Sequence, residues 1–210
     1  GIMEHIEEAG IHSGDSACSL PPFSVNEKVQ SQIVDWVSKI ANEINVVGLM
    51  NTQLAYKENK LYVLEVNPRA SRTVPFVAKS IGIPIAKLAS KIMAGDLLKD
   101  LLPSLEMKRL TNYNVKESVF PFNKFDGVDL ILGPEMKSTG EVMGIDDNFL
   151  NAYTKSQIAS GVNLPNHGKV FLSIDNDNKD KSLSLAKKLV NLNFEIIATK
   201  GTANFLKDNN

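Results

Sequence analysis

The sequence predicts a mixed fold, α+β in its first three quarters and α/β at its end. Three observations point there. Residues 49–67 read as two strands joined by a tight turn, which is an antiparallel hairpin. Residues 170–199 alternate strand, helix and strand, a βαβ unit that implies a parallel sheet. The segments between carry helical periodicity with start and stop signals.

Taken in order, Met3 to Ala9 is rich in helix formers and is stopped by Gly10, so a short helix is expected. The loop "GIHSGDSACSLPP" follows. Ser24-Val25-Asn26-Glu27 has the form of a capping box, with Ser24 as N-cap. Behind it Val29, Ile33, Val37, Ile40 and Ile44 form one apolar stripe, with Trp36 beside it. Leu49–Lys57 and Lys60–Asn67 are the hairpin strands. Two short helices come next, opened by Pro75 and Pro84 and closed by Gly82 and Gly95. Leu97 to Asn112 reads as amphipathic and irregular. Residues 115–144 are dense in turn residues and short apolar runs, and a helix containing Phe149, Tyr153 and Ile158 follows. "GVNLPNHG" is a linker, which divides the chain at about residues 160 and 161. Beyond it lie the strand Val170–Ile174, the helix around Leu183–Val190 and the strand Phe194–Thr199. One crossover leaves a parallel sheet bare on one face, so the second domain, residues 161–210, is expected to be truncated and the chain a fragment of something longer.

Composition narrows the function classes. The 210 residues carry 23 Lys and Arg against 24 Asp and Glu, a formal net charge of -1. No basic excess marks a nucleic-acid or membrane-surface binder, and no apolar run is long enough for a bilayer. The single cysteine, Cys18, excludes an internal disulfide and fits a reducing compartment; it is expected as a small buried packing residue. His5, His12 and His167 lack zinc-ligand spacing.

The chemistry gathers in the hairpin. In "LYVLEVNPR", residues 61–69, Glu65 and Asn67 project to one side because strand side chains alternate. The preceding strand carries Asn51 and Gln53. A three-residue loop, Glu58-Asn59-Lys60, would set Gln53 opposite Glu65 and Asn51 opposite Asn67. A two-residue loop, Glu58-Asn59, would set Gln53 opposite Leu64, on the wrong face. In the first register one face holds a carboxylate and several amides, a set suited to Mg²⁺, which takes one or two carboxylates and leaves its other positions to water and phosphates. Arg69 and Arg72 follow as fork-shaped donors for phosphate oxygens. The plain alternatives are a strand running out into a polar turn, and two surface arginines.

Longer strings carry a resemblance. "MEHIEEAGIHSGDSACSLPP", "EVNPRASRTVPFVAKSIGIP", "FPFNKFDGVDLILGPEMKSTGEVMG" and "GTANFL" resemble the carbamoyl phosphate synthetase large subunit, and the similarity runs through essentially the whole chain. The pattern Gln53, then Glu65-x-Asn67-Pro68-Arg69, looks like the metal-binding end of an ATP-grasp domain. The resemblance implies the C-terminal part of the second ATP-grasp half, residues 1–160, running into a methylglyoxal-synthase-like regulatory domain with a Rossmann-like βαβ start. It implies ATP- and Mg²⁺- or Mn²⁺-dependent phosphorylation of carbamate, for arginine and pyrimidine biosynthesis, in the cytoplasm. Gln53, Glu65 and Asn67 would then hold the metal, with Gln53 and Glu65 also against the nucleotide. Gly10, Ile11, His12 and Ser13 would line the nucleotide pocket, and Arg69 and Arg72 would face phosphate or carbamate. Glu7, Asp15 and Glu117 match positions for the effector ornithine; Lys179, Thr199 and Thr202 match positions for a nucleotide effector. Thr199 or Thr202 could equally cap a helix. Implied partners are the remainder of the large subunit and a small glutaminase subunit. An ATP-grasp site also needs an upstream subdomain with a glycine-rich loop, so the chain by itself is expected to be inactive. Two further readings stand beside this one: a non-catalytic regulatory or structural fragment, and another ATP-grasp ligase such as a biotin carboxylase.

Overall fold

Glu58 and Asn59 both take left-handed backbone, φ 52° and 61°, and they make the two-residue turn on which the central hairpin is built. In this computed structural model, which describes residues 1–102, 110–124 and 126–209, the hairpin strands are β3 (Asn51–Lys57) and β4 (Lys60–Asn67). The turn pairs Lys57 with Lys60 and fixes a register that would oppose Gln53 to Leu64. A bulge between Gln53 and Leu54 absorbs one residue of β4, and Gln53 then faces Glu65 while Asn51 faces Asn67. The loop is thus the shorter of the two weighed from sequence, yet the pairing is the one expected of the longer.

Before the hairpin come β1 (Glu4–His5), β2 (Cys18–Leu20) and α1 (Glu27–Glu43). The expected helix over Met3–Ala9 is not formed. Glu4 and His5 pair antiparallel with Ser19 and Cys18, and Ile6 N–H donates to the Ala17 carbonyl at 3.0 Å. Sheet pairing overrides a weak local propensity here. The N-cap of α1 is Asn26 rather than Ser24; its side chain accepts the Val29 N–H at 3.0 Å. Ser24 is held elsewhere, by the Glu4 carboxylate, which also accepts the Phe23 and Ser24 amides. The apolar stripe of α1 is only partly covered: Val29 is buried, Ile33, Trp36, Val37 and Ile40 are half-buried, and Ile44 is exposed. After the hairpin, α2 (Val74–Ile81) and α3 (Ile85–Met93) keep the proline starts and glycine ends read from sequence, with Gly82 at φ 70° and Gly95 at φ 109°. Helix α4 spans Leu98–Leu101, and residues 103–109 of the expected irregular stretch lie outside the described residues.

Two strands were hidden in the turn-rich region: β5 (Tyr113–Val119) and β6 (Gly140–Asp146). They complete an antiparallel sheet of order β1-β2-β5-β6. Helix α5 (Phe149–Ala159) packs on β5 and β6, with Ala152 and Ser156 fully buried beneath it. Phe149 stacks on Phe23 at 4.6 Å and meets Tyr113 edge-on at 5.9 Å, so the start of α5 is fixed by aromatic contact. Ala17, Cys18 and Leu20 at and just before β2, with Val115 of β5, are buried core residues.

The chain divides into two compact units, Gly1–Val162 and Asn163–Asn210. The second contains β7 (Gly168–Leu172), α6 (Lys179–Asn191), β8 (Phe194–Ala198) and α7 (Lys200–Asp208). Strand β7 begins two residues before its expected start and pairs in parallel with β8, as the βαβ reading requires. Phe171 and Ile197 are directly paired and both exposed, on the sheet face that α6 and α7 leave open.

Candidate functional site

One side of the hairpin joins the loop before β2. Gln53 Nε2 donates to Glu65 Oε2 at 3.0 Å and to Ser13 Oγ at 3.0 Å. Both amide hydrogens are thereby used, and among the described residues no donor reaches Gln53 Oε1. Asn67 lies two residues on from Glu65, and its Oδ1 accepts from Arg69 Nη2 at 3.3 Å. Arg69 also donates to the Ala70 carbonyl and is otherwise open to solvent. Among the described residues no three His, Cys, Asp or Glu side chains gather as a metal cluster. One carboxylate with two amide oxygens is nevertheless a donor set that fits Mg²⁺ or Mn²⁺ bound mainly through phosphates and water.

The loop Gly10–Ser16 is shaped by its own contacts. Gly10 stands at φ 110°, a conformation a side chain disfavours. His12 Nδ1 accepts the Gly14 N–H at 3.0 Å and His12 N–H donates to the Gly133 carbonyl at 2.8 Å. Ile11 is half-buried beside it. The Gly14 carbonyl accepts three donors: Arg72 Nη2 at 2.7 Å, Ser118 Oγ at 2.8 Å and Ser138 Oγ at 2.9 Å.

Arg72 is therefore tied up differently from Arg69. Its Nε meets Glu141 Oε1 at 3.2 Å, its Nη1 the Ser138 carbonyl and its Nη2 both Gly14 and Ser138. The guanidinium bridges three segments of chain. Lys116 is wholly buried, 3.8 Å from Glu141 and donating to the Ser13 carbonyl at 3.3 Å. Sequence reading missed Lys116, Ser118, Ser138 and Glu141. The alternation in "VKESV" would have placed Lys116 and Ser118 on one face, had the polar segment been recognised as a strand.

The three acids expected to act together have different hydrogen-bond partners. Glu7 and Glu117 are electrostatic neighbours, and burial pushes both carboxyls above their ordinary range, with the Glu7 charge adding to the rise at Glu117. Glu7 accepts the Ala17 N–H at 2.7 Å, and Glu117 accepts from Gln157 of α5. Asp15 accepts the backbone N–H groups of Lys137 at 2.7 Å and Ser138 at 2.9 Å. Burial would raise its carboxyl, but the Ser138 side chain and the Lys137 and Ser138 amides outweigh it and hold the group below the usual carboxylate value. Cys18 is buried, and loss of solvent pushes its thiol up to about 12. Burial, then the Lys116 charge, lowers His5.

In the second unit, Thr199 N–H donates to the Leu172 carbonyl and its side chain makes no cap bond to α7. Thr202 is 1% exposed; its hydroxyl accepts the Ile174 N–H at 3.1 Å and lies 3.2 Å from Thr199 Oγ1. Lys179 Nζ lies 2.6 Å from Asn176 Oδ1 and 3.6 Å from where a Cβ on Gly201 would stand, so the ammonium reaches the first turn of α7.

Comparison with known proteins bears on both units. Residues 2–101 match the family described as carbamoyl-phosphate synthase L chain, ATP binding domain, and residues 181–210 match the MGS-like domain. Curated relatives include the carbamoyl phosphate synthase large chain of Archaeoglobus fulgidus, 58% identical across the whole of this chain and 19% of its own length. That of Rhodopirellula baltica is 56% identical across the whole of this chain and 20% of its own. That of Pseudomonas putida is 54% identical over 98% of this chain and 19% of its own. The chain thus spans about a fifth of the relatives it matches. Among solved structures, a Rhizobium etli pyruvate carboxylase variant crystallised without acetyl coenzyme A superposes with TM-score 0.55 at 19% identity, over 68% of this chain and 18% of that one. The complete multifunctional pyruvate carboxylase from the same organism gives 0.54 at 19% identity, over 68% and 17%. At that identity the likeness is one of fold.

Proposed function

The chain belongs to the carbamoyl phosphate synthase large-chain family, and from that premise we propose that residues 1–160 form the C-terminal part of an ATP-grasp site that phosphorylates carbamate with ATP. The observation that carries the reading is the pairing of Gln53 with Glu65 on one hairpin face, against Ser13 of the loop. Glu65, Gln53 Oε1 and Asn67 would hold Mg²⁺ or Mn²⁺, which supplies neutralisation of phosphate charge. Gly10, Ile11, His12 and Ser13 line the nucleotide side. Arg69, which keeps donors open to solvent, meets the transferring phosphoryl group or carbamate. Arg72 acts from behind, holding the Gly14 carbonyl and Ser138.

Residues 161–210 open the regulatory domain in this proposal. Lys179 and Thr199 face a phosphate-bearing nucleotide effector at the start of α7, where unpaired helix amides favour anions. Glu7, Asp15 and Glu117 receive an amine effector such as ornithine, since carboxyls gathered out of full solvent favour a bound cation. The rest of the large chain and a glutaminase subunit are the proposed partners, and the cytoplasm the setting, consistent with one unpaired, buried cysteine.

The test is Glu65→Gln in the full-length large chain, assayed as ATP formation from ADP and carbamoyl phosphate. The substitution keeps shape and removes the one carboxylate of the donor set. A loss of at least about a hundredfold is expected, since a metal contributes several kcal/mol of charge stabilisation. A rate within about twofold of wild type would refute the assignment.

A further inference from the structure

Helix α5 brings two side chains to the Glu7 and Glu117 carboxyls. Tyr153 and Gln157 are four residues apart and share one face of the helix. Both are half-buried, and Glu117 is 7% exposed. Gln157 Nε2 donates to Glu117 Oε2, and the Ser118 N–H donates to Oε1 at 3.1 Å. The Ser118 bond is local to β5, so Gln157 is the donor that reaches this carboxylate from another element. Tyr153 stacks on Phe149 at 6.3 Å, and Phe149 on Phe23. Burial first, then the charges of Glu117 and Glu7, raises the Tyr153 phenol, which therefore stands in the field of both acids. The helix has no room to move towards β6, since the Ala152 carbonyl and Ser156 N stand where a Cβ on Gly144 would. The Gln157 carbonyl also accepts the Val162 N–H at 3.0 Å and the Ser160 hydroxyl at 2.8 Å, so the same residue closes the C-terminal end of α5.

We infer that Gln157 is a positioning residue of the amine-effector site: its amide, fixed by the seating of α5, holds the Glu117 carboxylate beside Glu7 so that both meet one ammonium group. The inference rests on the effector reading above and deepens it, by adding α5 to the elements that build that site. A carboxylate that takes one bond from Gln157 and one from Ser118 keeps lone pairs on both oxygens for a ligand. The wholly buried Lys116 ammonium offsets part of the charge of the two acids, yet burial still dominates at both, so a further cation is favoured between them. A neutral amide suits position 157, because it orients Glu117 without neutralising it; Lys or Arg there would take the place of the ligand's cation. Without the Gln157 bond, Glu117 regains rotamer freedom and loses a contact that favours its charged form.

The experiment titrates the full-length large chain with L-ornithine by calorimetry, across a range of pH. Gln157→Leu keeps the size of the side chain and removes the donor. Its Kd for ornithine is expected to rise about tenfold, because one hydrogen bond to a charged group is lost. A merely structural defect would lower the fraction of protein that binds and leave the Kd of the remainder alone. The pH at which binding is half lost on acidification should also move upward in Gln157→Leu, since the bond to Glu117 lowers that carboxyl; the other titratable groups in its field, Glu7, Cys18 of β2, Lys116 of β5 and Tyr153 of α5, are the same in both proteins. In the wild type, ornithine should slow hydrogen exchange of the peptide covering 157–162, because Gln157 joins Glu117 to the Val162 amide. A Kd within about twofold of wild type, an unmoved pH midpoint, or no ornithine-dependent slowing of 157–162 in the wild type would each overturn the inference. Wild-type affinity in Glu117→Gln would instead overturn the effector reading itself, so the two failures are distinguishable.

Discussion

Gly144 offers the sharpest test of how α5 is seated on the sheet. A Cβ built on Gly144 would lie 2.1 Å from the Ala152 carbonyl oxygen, 2.6 Å from Ser156 N and 2.9 Å from Lys155 Cβ. The first two are backbone atoms of a regular helix, so no rotamer change can relieve them. Helix α5 would have to retreat by on the order of 1 Å, and a gap of that size forfeits up to about half of each dispersion contact it opens. Ala152 and Ser156, both fully buried, lie under the part that moves. Overpacking of this kind costs about 1–3 kcal/mol and occasionally more, and rigid backbone puts Gly144→Ala near 3. Gly140 on the same strand is the control, because a Cβ there meets only Val119 Cβ at 3.9 Å. Hydrogen exchange of the α5 amides, residues 149–159, reads the local opening free energy. Gly144→Ala should speed that exchange roughly a hundredfold, while Gly140→Ala should leave it within about threefold. Equal behaviour of the two variants would refute the close-packing argument.

Two further outcomes follow from buried groups. Cys18, with its thiol pushed up to about 12 and 1% exposed, should resist alkylation by iodoacetamide at pH 8 in the native protein and react at once in denaturant; native labelling at the rate of a free thiol would contradict its burial. Burial raises the Glu117 carboxyl in the folded state, so its favourable contribution to stability is complete below the ordinary carboxylate value and is lost as pH rises through the folded-state value. The melting temperature of Glu117→Gln relative to wild type should therefore climb with pH across that window, and a constant or falling difference would reverse the sign argued here.

What could be read from the chain depended on how local the cause was. The α2 and α3 boundaries were legible because Pro75, Gly82, Pro84 and Gly95 act within their own turns. The βαβ unit was legible because its apolar runs are short and separated by a polar helix face. Strands β5 and β6 were not, since Lys116, Glu117 and Ser118 make β5 read as a polar stretch; their burial is supported by partners on other elements that no local window contains. Residues 3–9 failed in the opposite direction, with good helix formers drawn into a sheet by pairing with residues 18 and 19. Gln53, Glu65 and Asn67 could be grouped from alternation alone, whereas the reach of Asp15 to residues 137 and 138 could not.

The hairpin shows why a local rule can fail and the site still form. Two left-handed residues, Glu58 and Asn59, satisfy the turn preferred by twisted strands. That turn alone sends Gln53 and Glu65 to opposite faces, because a one-residue slip reverses every side chain. The bulge on β4 restores the pairing by letting the strand take up one extra residue, Leu64, which is exposed as Tyr62 and Val63 are. A broken ladder is unfavourable for the hairpin taken by itself. What results is a juxtaposition, a carboxylate facing an amide with Ser13 beside them. Bulges of this kind re-aim side chains next to active sites, and this one stands between the turn and the Gln53–Glu65 pair. The irregularity therefore decides which side chains share a face at the far end of this hairpin, and it does so by backbone geometry alone.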